Sequence, residues 1–296
     1  MEFKGLGLAD RVILEPLTRS SGRWQADTNF SNLFMWRHSR EISFCIQDGQ
    51  LIIQTRYAGQ NPFIFYPIGK GDKKAIIESM IAHYAHLGLP LEIHSLQASE
   101  KDELLSLFGD SFEITQRRDR FDYIYNVEEL IALSGRKFHK KKNHLNRFYL
   151  QYPQACFEPL NEGNLQEVRE VNNQWFLESK KDDEGLHFEN LGINDALCNF
   201  NTLGLQGGLL RCDGDIIAFS FGEVLDEKMA LIHIEKANIA FSGAYQAINQ
   251  ALLKHTFSHL QYVNREEDLG IEGLRKAKLS YQPAFLLEKY DARLSV

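Results

Sequence analysis

The segment NREEDLGIEGLRKAKLSYQP gathers side chains that can hold anions and move protons. Asn264, Arg265, Glu266, Glu267 and Asp268 close an expected strand, and Arg275 and Lys278 follow on an expected helix. Mixed charge at the C-terminal end of a strand is where sites of α/β proteins gather. Arg275 and Lys278 lie one helical step apart, a spacing that clamps a phosphate or carboxylate. The same residues also read as a salt-bridged turn that fixes the helix, and Tyr281 reads as a positioning or a packing group. Upstream, His233 and Glu235 alternate on one face of a strand, which suits a base or a ligand. A single histidine on a strand is more commonly a satisfied structural group. No Ser-His-Asp order or other nucleophile motif is present. Cys45, Cys156, Cys198 and Cys212 form no C-x-x-C pair and no metal-ligand spacing with histidine, so no metal site is expected. They read as buried reduced thiols, which fits a cytoplasmic protein.

A second feature is GRKFHKKKNHLNRF, from Gly135 to Phe148, in a chain of net charge -7. It holds Arg136, Lys137, Lys140, Lys141, Lys142 and Arg147 and no acid. Pro153 ends the segment, because proline cannot continue a helix, and Ser134 is placed to cap its start. At about 100° per residue, Phe138, Leu145, Phe148 and Tyr149 share one face. Arg136, Lys140 and Arg147 share the opposite one. Lys141 and Lys142 flank the apolar seam and can lay their stems along it. A solvated helix face ordinarily mixes signs for i,i+4 pairing, so the unrelieved positive charge points to a phosphate-bearing partner. The acidity of the whole chain argues against indiscriminate binding of DNA.

These residues are positioned by two similar series of elements. Asp48-Gly49 lies between EISFCIQ and QLIIQTRY, and Asp213-Gly214 between GGLLRC and DIIAFSFGEV. Asp-Gly between apolar runs predicts a tight hairpin. The first hairpin is followed by strand PFIFYPIG, helix KKAIIESMIAHYAHLG, strand LPLEIHSL, helix ASEKDELLSLFG and strand FDYIYNV. The second is followed by strand KMALIHIEKAN, helix SGAYQAINQALLKHTF, strand LQYVNREED, helix GIEGLRKAKLSY and strand PAFLLEKYDAR. The chain thus reads as two copies of one mixed α/β unit, residues 1–130 and 131–296. No segment reaches the ~18–20 apolar residues of a membrane-spanning helix, and the N-terminus lacks the pattern of an export signal. Peripheral contact with a membrane stays open, and the oligomeric state is not legible.

The basic run, the NREEDLGIEGLRKAKLSYQP segment and the early TNFSNLFMW together resemble, over most of the chain, bacterial proteins related to the C-terminal domain of phosphatidylglycerol lysyltransferases. The resemblance implies a tandem pair of GNAT (acyl-CoA N-acyltransferase-like) folds. It also implies transfer of an aminoacyl group from charged tRNA to a lipid headgroup or peptidoglycan precursor. This sequence departs from the lipid enzymes in carrying no membrane domain, which leaves a soluble acceptor or another donor open. In a GNAT-like unit the donor phosphates would meet Ser242, Gly243, Ala244 and Tyr245, where a helix begins. Only one glycine is present there, and no Arg/Gln-x-x-Gly-x-Gly pattern. The resemblance makes Glu235, His233, Glu267 and Asp268 candidates for proton transfer during direct attack. It gives Arg275, Lys278 and Tyr281 to the donor, and turns Arg136, Lys137, Lys140, Lys141 and Arg147 toward tRNA. Two alternatives remain: an N-acetyltransferase with acetyl-CoA as donor, and a binding module that keeps the fold without chemistry.

Overall fold

The computed structural model describes residues 1–179 and 183–295. Its first half supplies strands β1 (Lys4–Gly5), β2 (Glu41–Gln47), β3 (Gln50–Arg56), β4 (Phe63–Phe65), β5 (Glu92–Leu96), β6 (Phe112–Gln116) and β7 (Asp122–Asn126). Helices α1 (Arg11–Ser20), α2 (Phe30–Trp36), α3 (Lys73–His86), α4 (Ala98–Phe108) and α5 (Val127–Ala132) intervene. The second half supplies β8 (Cys156–Pro159), β9 (Gln206–Cys212), β10 (Asp215–Val224), β11 (Met229–Ala237), β12 (Tyr262–Asn264), β13 (Phe285–Leu287) and β14 (Tyr290–Leu294). Its helices are α6 (His139–Gln151), α7 (Leu165–Glu178), α8 (Glu184–Cys198), α9 (Ala244–His255) and α10 (Glu272–Leu279).

Both Asp-Gly pairs form hairpin turns. Gln47 pairs with Gln50, and Cys212 with Asp215. Asp48, Gly49, Asp213 and Gly214 all have positive φ, from 50° to 94°. Two successive positive-φ residues match the right-handed twist of the flanking strands, which is why Asp-Gly is favoured there.

Two compact units result. Unit 1 is Met1–Asp122 with Glu267–Ile271 and Leu287–Val296; unit 2 is Tyr123–Glu266 with Glu272–Leu286. Each is built on a seven-stranded sheet, and the two strand orders are one pattern. They run β1-β2-β3-β4-β5-β14-β6 and β8-β9-β10-β11-β12-β7-β13. Each sheet takes its sixth strand from the other half of the sequence. Strand β14 lies antiparallel between β5 and β6, and β7 lies antiparallel to β12. The segment PAFLLEKYDAR, expected as a single strand, is therefore two strands in different sheets. Strand β6 and helices α7 and α8 were not anticipated from the periodicity.

The core of unit 1 packs α3 against the sheet through Ile76, Ile77, Met80 and Tyr84 on Ile52, Ile64 and Ile93. The core of unit 2 includes Tyr123, Tyr125, Phe138, Phe148, Ile232, Ile248, Leu252 and Val263. Among the described residues no helix is long and apolar enough to cross a membrane. All four cysteines are free, but Cys212 is buried as expected while Cys45 is half-buried and Cys156 and Cys198 are exposed. The positions of Cys156 at a strand start and Cys198 at a helix end leave them outside the packed faces.

Candidate functional site

Strand β11 is nine residues long and its parallel neighbour β12 only three. They pair over Met229–Tyr262, Ala230–Val263 and Leu231–Asn264. Beyond Leu231, β11 keeps β10 on one side and has no ladder partner among the described residues on the other. A notch opens there. At its mouth β11 bulges: Gly222 faces Ile232 and Phe221 faces Ile234, leaving His233 as the extra residue. Gly222 makes the bulge possible, since a Cβ there would fall 2.0 Å from the Leu231 carbonyl oxygen. Bulges bend a strand and re-aim its groups, and they concentrate near active sites. His233 is half-exposed as a residue although its side chain is 1% exposed, so the accessible surface is main chain. Behind it the buried Ser220 hydroxyl donates to the Ile234 carbonyl at 2.7 Å.

The His233 ring lies between two acids, with Nε2 3.1 Å from Glu223 Oε1 and Nδ1 3.1 Å from Glu266 Oε1. Burial opposes its charge, but the hydrogen bonds and field of Glu223 and Glu266 outweigh burial and raise the imidazole to about 9. An imidazolium bonded at both nitrogens has no lone pair for a proton, so His233 serves to lock the bulge. Glu235, two residues on, accepts from Arg265 Nη2 at 2.9 Å and from Asn249 Nδ2 at 2.9 Å. Arg265 in turn lies 4.9 Å from the Tyr281 ring centroid and 5.5 Å from that of Tyr125. Lys141 Nζ sits 4.0 Å from the same Tyr281 centroid. Tyr281 is buried, which pushes its hydroxyl up to about 12 and keeps it protonated. Glu223 and Asn249 were not singled out by sequence reasoning, whereas Arg265 and Glu266 stood in the charged run without a role of their own. Glu223 is an isolated residue on β10 and Asn249 on α9, with no spacing signal.

The other expected residues fall as follows. Glu267 and Asp268 belong to unit 1. Glu267 meets Arg120 Nη1 at 3.2 Å and Lys289 Nζ at 3.5 Å, while the fully buried Asp268 meets Arg118 Nη1 at 3.2 Å. The chain turns at Glu266, with φ 56°, so it is Glu266 and not its two successors that reaches His233. Asp27, Asp122 and Glu267 lie close enough to share a cation, and the Lys289 ammonium fills that position, bonding Asp27 and, at 2.7 Å, Asp122. Burial is the largest influence on both aspartates: it lifts Asp122 to about 6, whereas Lys289 and Arg120 overcome it at Asp27 and hold that carboxyl low.

Lys278 caps the strand end, its ammonium donating to the carbonyls of Arg265 and, at 3.1 Å, Glu266. Arg275 is half-buried on α10. Ser242 is exposed, Ala244 buried and Tyr245 41% exposed at the start of α9. Gly243 has φ 93°, and a Cβ on it would meet Phe148 Cβ at 3.0 Å and the His144 carbonyl oxygen at 3.1 Å. Its small size lets α6 approach, a reason different from approach of an anion.

Helix α6 starts later than expected. Ser134 makes no side-chain cap. A tight turn over Arg136–Phe138, entered through Gly135 at φ 83°, precedes the helix. Phe138, Leu145 and Phe148 are buried, each contributing about 1.5–3 kcal/mol of apolar burial. Tyr149 is 39% exposed and stands off the seam, because it lies one step round the helix from Phe148. Lys137 pairs with Glu129 at 2.7 Å. Arg136, Lys140, Lys142 and Arg147 are exposed and make no ion pair with any described residue. Lys141 turns inward to Tyr281.

A family profile described as phosphatidylglycerol lysyltransferase, C-terminal, matches residues 18–293. A conserved protein of unknown function from Bacteroides thetaiotaomicron VPI-5482 is 36% identical, with all of both chains covered and a TM-score of 0.93. The C-terminal domain of a putative lysylphosphatidylglycerol synthetase from Agrobacterium fabrum superposes with a TM-score of 0.68 at 15% identity, covering 98% of this chain and 93% of that one. A tandem GNAT protein from the clavulanic acid biosynthesis pathway gives 0.51 at 9% identity, covering 100% and 99%. The last two establish likeness of fold. The tandem GNAT architecture expected from the sequence is the fold observed.

Proposed function

The chain belongs to the phosphatidylglycerol lysyltransferase C-terminal family, and from that premise we propose that it transfers an aminoacyl group from charged tRNA, with unit 2 as the site. One observation carries the reading: the main-chain edge of β11 that lacks a ladder partner at its bulge lies in the unit where helix α6 and the turn before it bear four exposed cations without ion-pair partners among the described residues.

The acyl group lies along the β11 edge, where main-chain N–H groups are aimed before the reaction and stabilise charge at its carbonyl oxygen. The acceptor's amine or hydroxyl attacks the ester carbon directly. A C–N or C–O bond forms, the ester C–O bond to the terminal ribose breaks, and the ribose hydroxyl leaves with a proton. Glu235, held by Arg265 and Asn249, takes the proton that the acceptor releases. The α6 stripe holds tRNA phosphates, so affinity falls steeply with added salt.

The double substitution Lys140→Glu with Arg147→Glu tests the donor. Binding of charged tRNA at low salt is expected to be lost while the thermal midpoint stays put. Unchanged affinity overturns the tRNA role of this helix. Acetyl-CoA in place of charged tRNA is expected to give no saturable heat on titration. Saturable micromolar binding would move the reading to a CoA-dependent acyltransferase.

A further inference from the structure

Two cations in unit 2 converge on one ring without an acid for each. Lys141 Nζ is 4.0 Å and the Arg265 guanidinium carbon 4.9 Å from the Tyr281 centroid, so the two charges are at most about 9 Å apart. Glu235 is bonded to Arg265 through Nη2 alone. Arg265 Nη1 is buried and has no hydrogen-bond partner among the described residues. Lys141 is half-buried and makes no hydrogen bond or ion pair with any described residue. Two positive groups thus share one carboxylate, and each keeps a donor unused. Burial and, after it, the charge of Arg265 depress the Lys141 ammonium, as expected for a cation missing its counter-ion.

Buried donors without acceptors are rare in folded proteins and mark a place that a ligand or ordered water completes. An exposed lysine would escape the repulsion by swinging into water. Lys141 instead lies half-buried against the Tyr281 ring, on a helix anchored by Leu145 and Phe148, both buried, and by the Gly243 contact at His144 and Phe148. Guanidinium and ammonium together suit a phosphate, which accepts a fork of hydrogen bonds from the one and a point contact from the other.

We propose that Lys141 and Arg265 form an anion seat over Tyr281 that takes one phosphate group of a substrate. This rests on the transferase reading only for which substrate supplies the phosphate. The seat itself is testable without any donor or turnover. The phosphate would come from the terminal nucleotide of the donor or from the acceptor.

The test is thermal stabilisation of the full chain by inorganic phosphate, at constant ionic strength, for the wild type, Lys141→Met and Lys140→Met. Lys140 is a neighbour on the exposed stripe and controls for general surface charge. Lys141→Met removes a half-exposed charge and keeps the stem, so it preserves the fold where an Arg265 variant, stripping Glu235 of its partner, would not. Saturable stabilisation of the wild type and of Lys140→Met is expected, with affinity weakened roughly tenfold or more in Lys141→Met. No stabilisation of the wild type, equal affinity in Lys141→Met, or equal weakening in both variants would each overturn the seat. Adenosine 5′-monophosphate binding tighter than glycerol 3-phosphate assigns the phosphate to the donor, and the reverse order assigns it to the acceptor.

Discussion

The two units repeat one strand order but treat the end of the fourth strand in opposite ways. In unit 2, β11 outruns β12, bulges at His233 and leaves main chain without a ladder partner among the described residues, and α9 begins at Gly243 without a side-chain cap. In unit 1, β4 is three buried residues and pairs with β5 at two positions. The loop that follows is closed by side chains. Lys73 donates to the carbonyls of Pro67 and Gly69 and to Gln50 at 2.7–3.0 Å. Arg23 donates to the Tyr66 carbonyl at 3.1 Å and pairs with Glu100. Asp72 caps α3 through Ala75 N–H, which puts negative charge where an anion would dock. A fold shared by two halves thus carries an open notch in one and a filled one in the other, and the difference lies in a few side chains at equivalent places.

The same contrast separates the cations. Arg23, Arg120 and Lys289 of unit 1 are paired with acids of the same unit, and the α6 stripe of unit 2 has no acid paired with it among the described residues. Lys289→Met breaks this most severely, because it leaves the buried Asp27 and Asp122, and the half-buried Glu267, without their common cation. A loss of about 3–5 kcal/mol is expected by urea denaturation, and an unchanged midpoint would mean that the network is not structural. His233 gives a smaller effect that depends on pH. Its folded pKa, about 9, is above its ordinary 6.5, so the stabilisation is complete below about pH 6.5 and is lost as pH rises through about 9. On the order of 1–3 kcal/mol is expected to disappear over that window, and His233→Gln should flatten it. A variant with the same slope would remove His233 as its source. The smallest effect on stability is expected for Lys140→Glu with Arg147→Glu, within about 0.5 kcal/mol. A larger loss would show that the stripe is part of the fold and blur the distinction between the units.

Much of this was legible in the residues. The hairpins were, because Asp-Gly specifies two positive-φ positions. The seam of α6 was, because Phe138, Leu145 and Phe148 recur at helical spacing. The exchange of β7 and β14 was not, since periodicity says that a strand exists and not which strand it joins. In the site, Glu235 and His233 were visible as an alternating pair on one strand. The role of His233 was not, because Glu223 and Glu266, which fix its charge, lie on other elements. Glu267 and Asp268 shared the acidic run with Glu266, and one positive-φ residue sends them into a different ion network. Arg265 stood in the same run, and its unused donor is visible only in three dimensions.

The most direct test of the contrast between the units is hydrogen exchange of the full chain with and without a tRNA carrying its amino acid through a stable 3′-amide. The account predicts slowed exchange along β11 from Ile232 to Ala237 and on α6, with residues 66–72 of unit 1 unchanged. Protection of residues 66–72 with β11 unaffected would contradict it, and would place the donor in the half whose loop is closed by side chains.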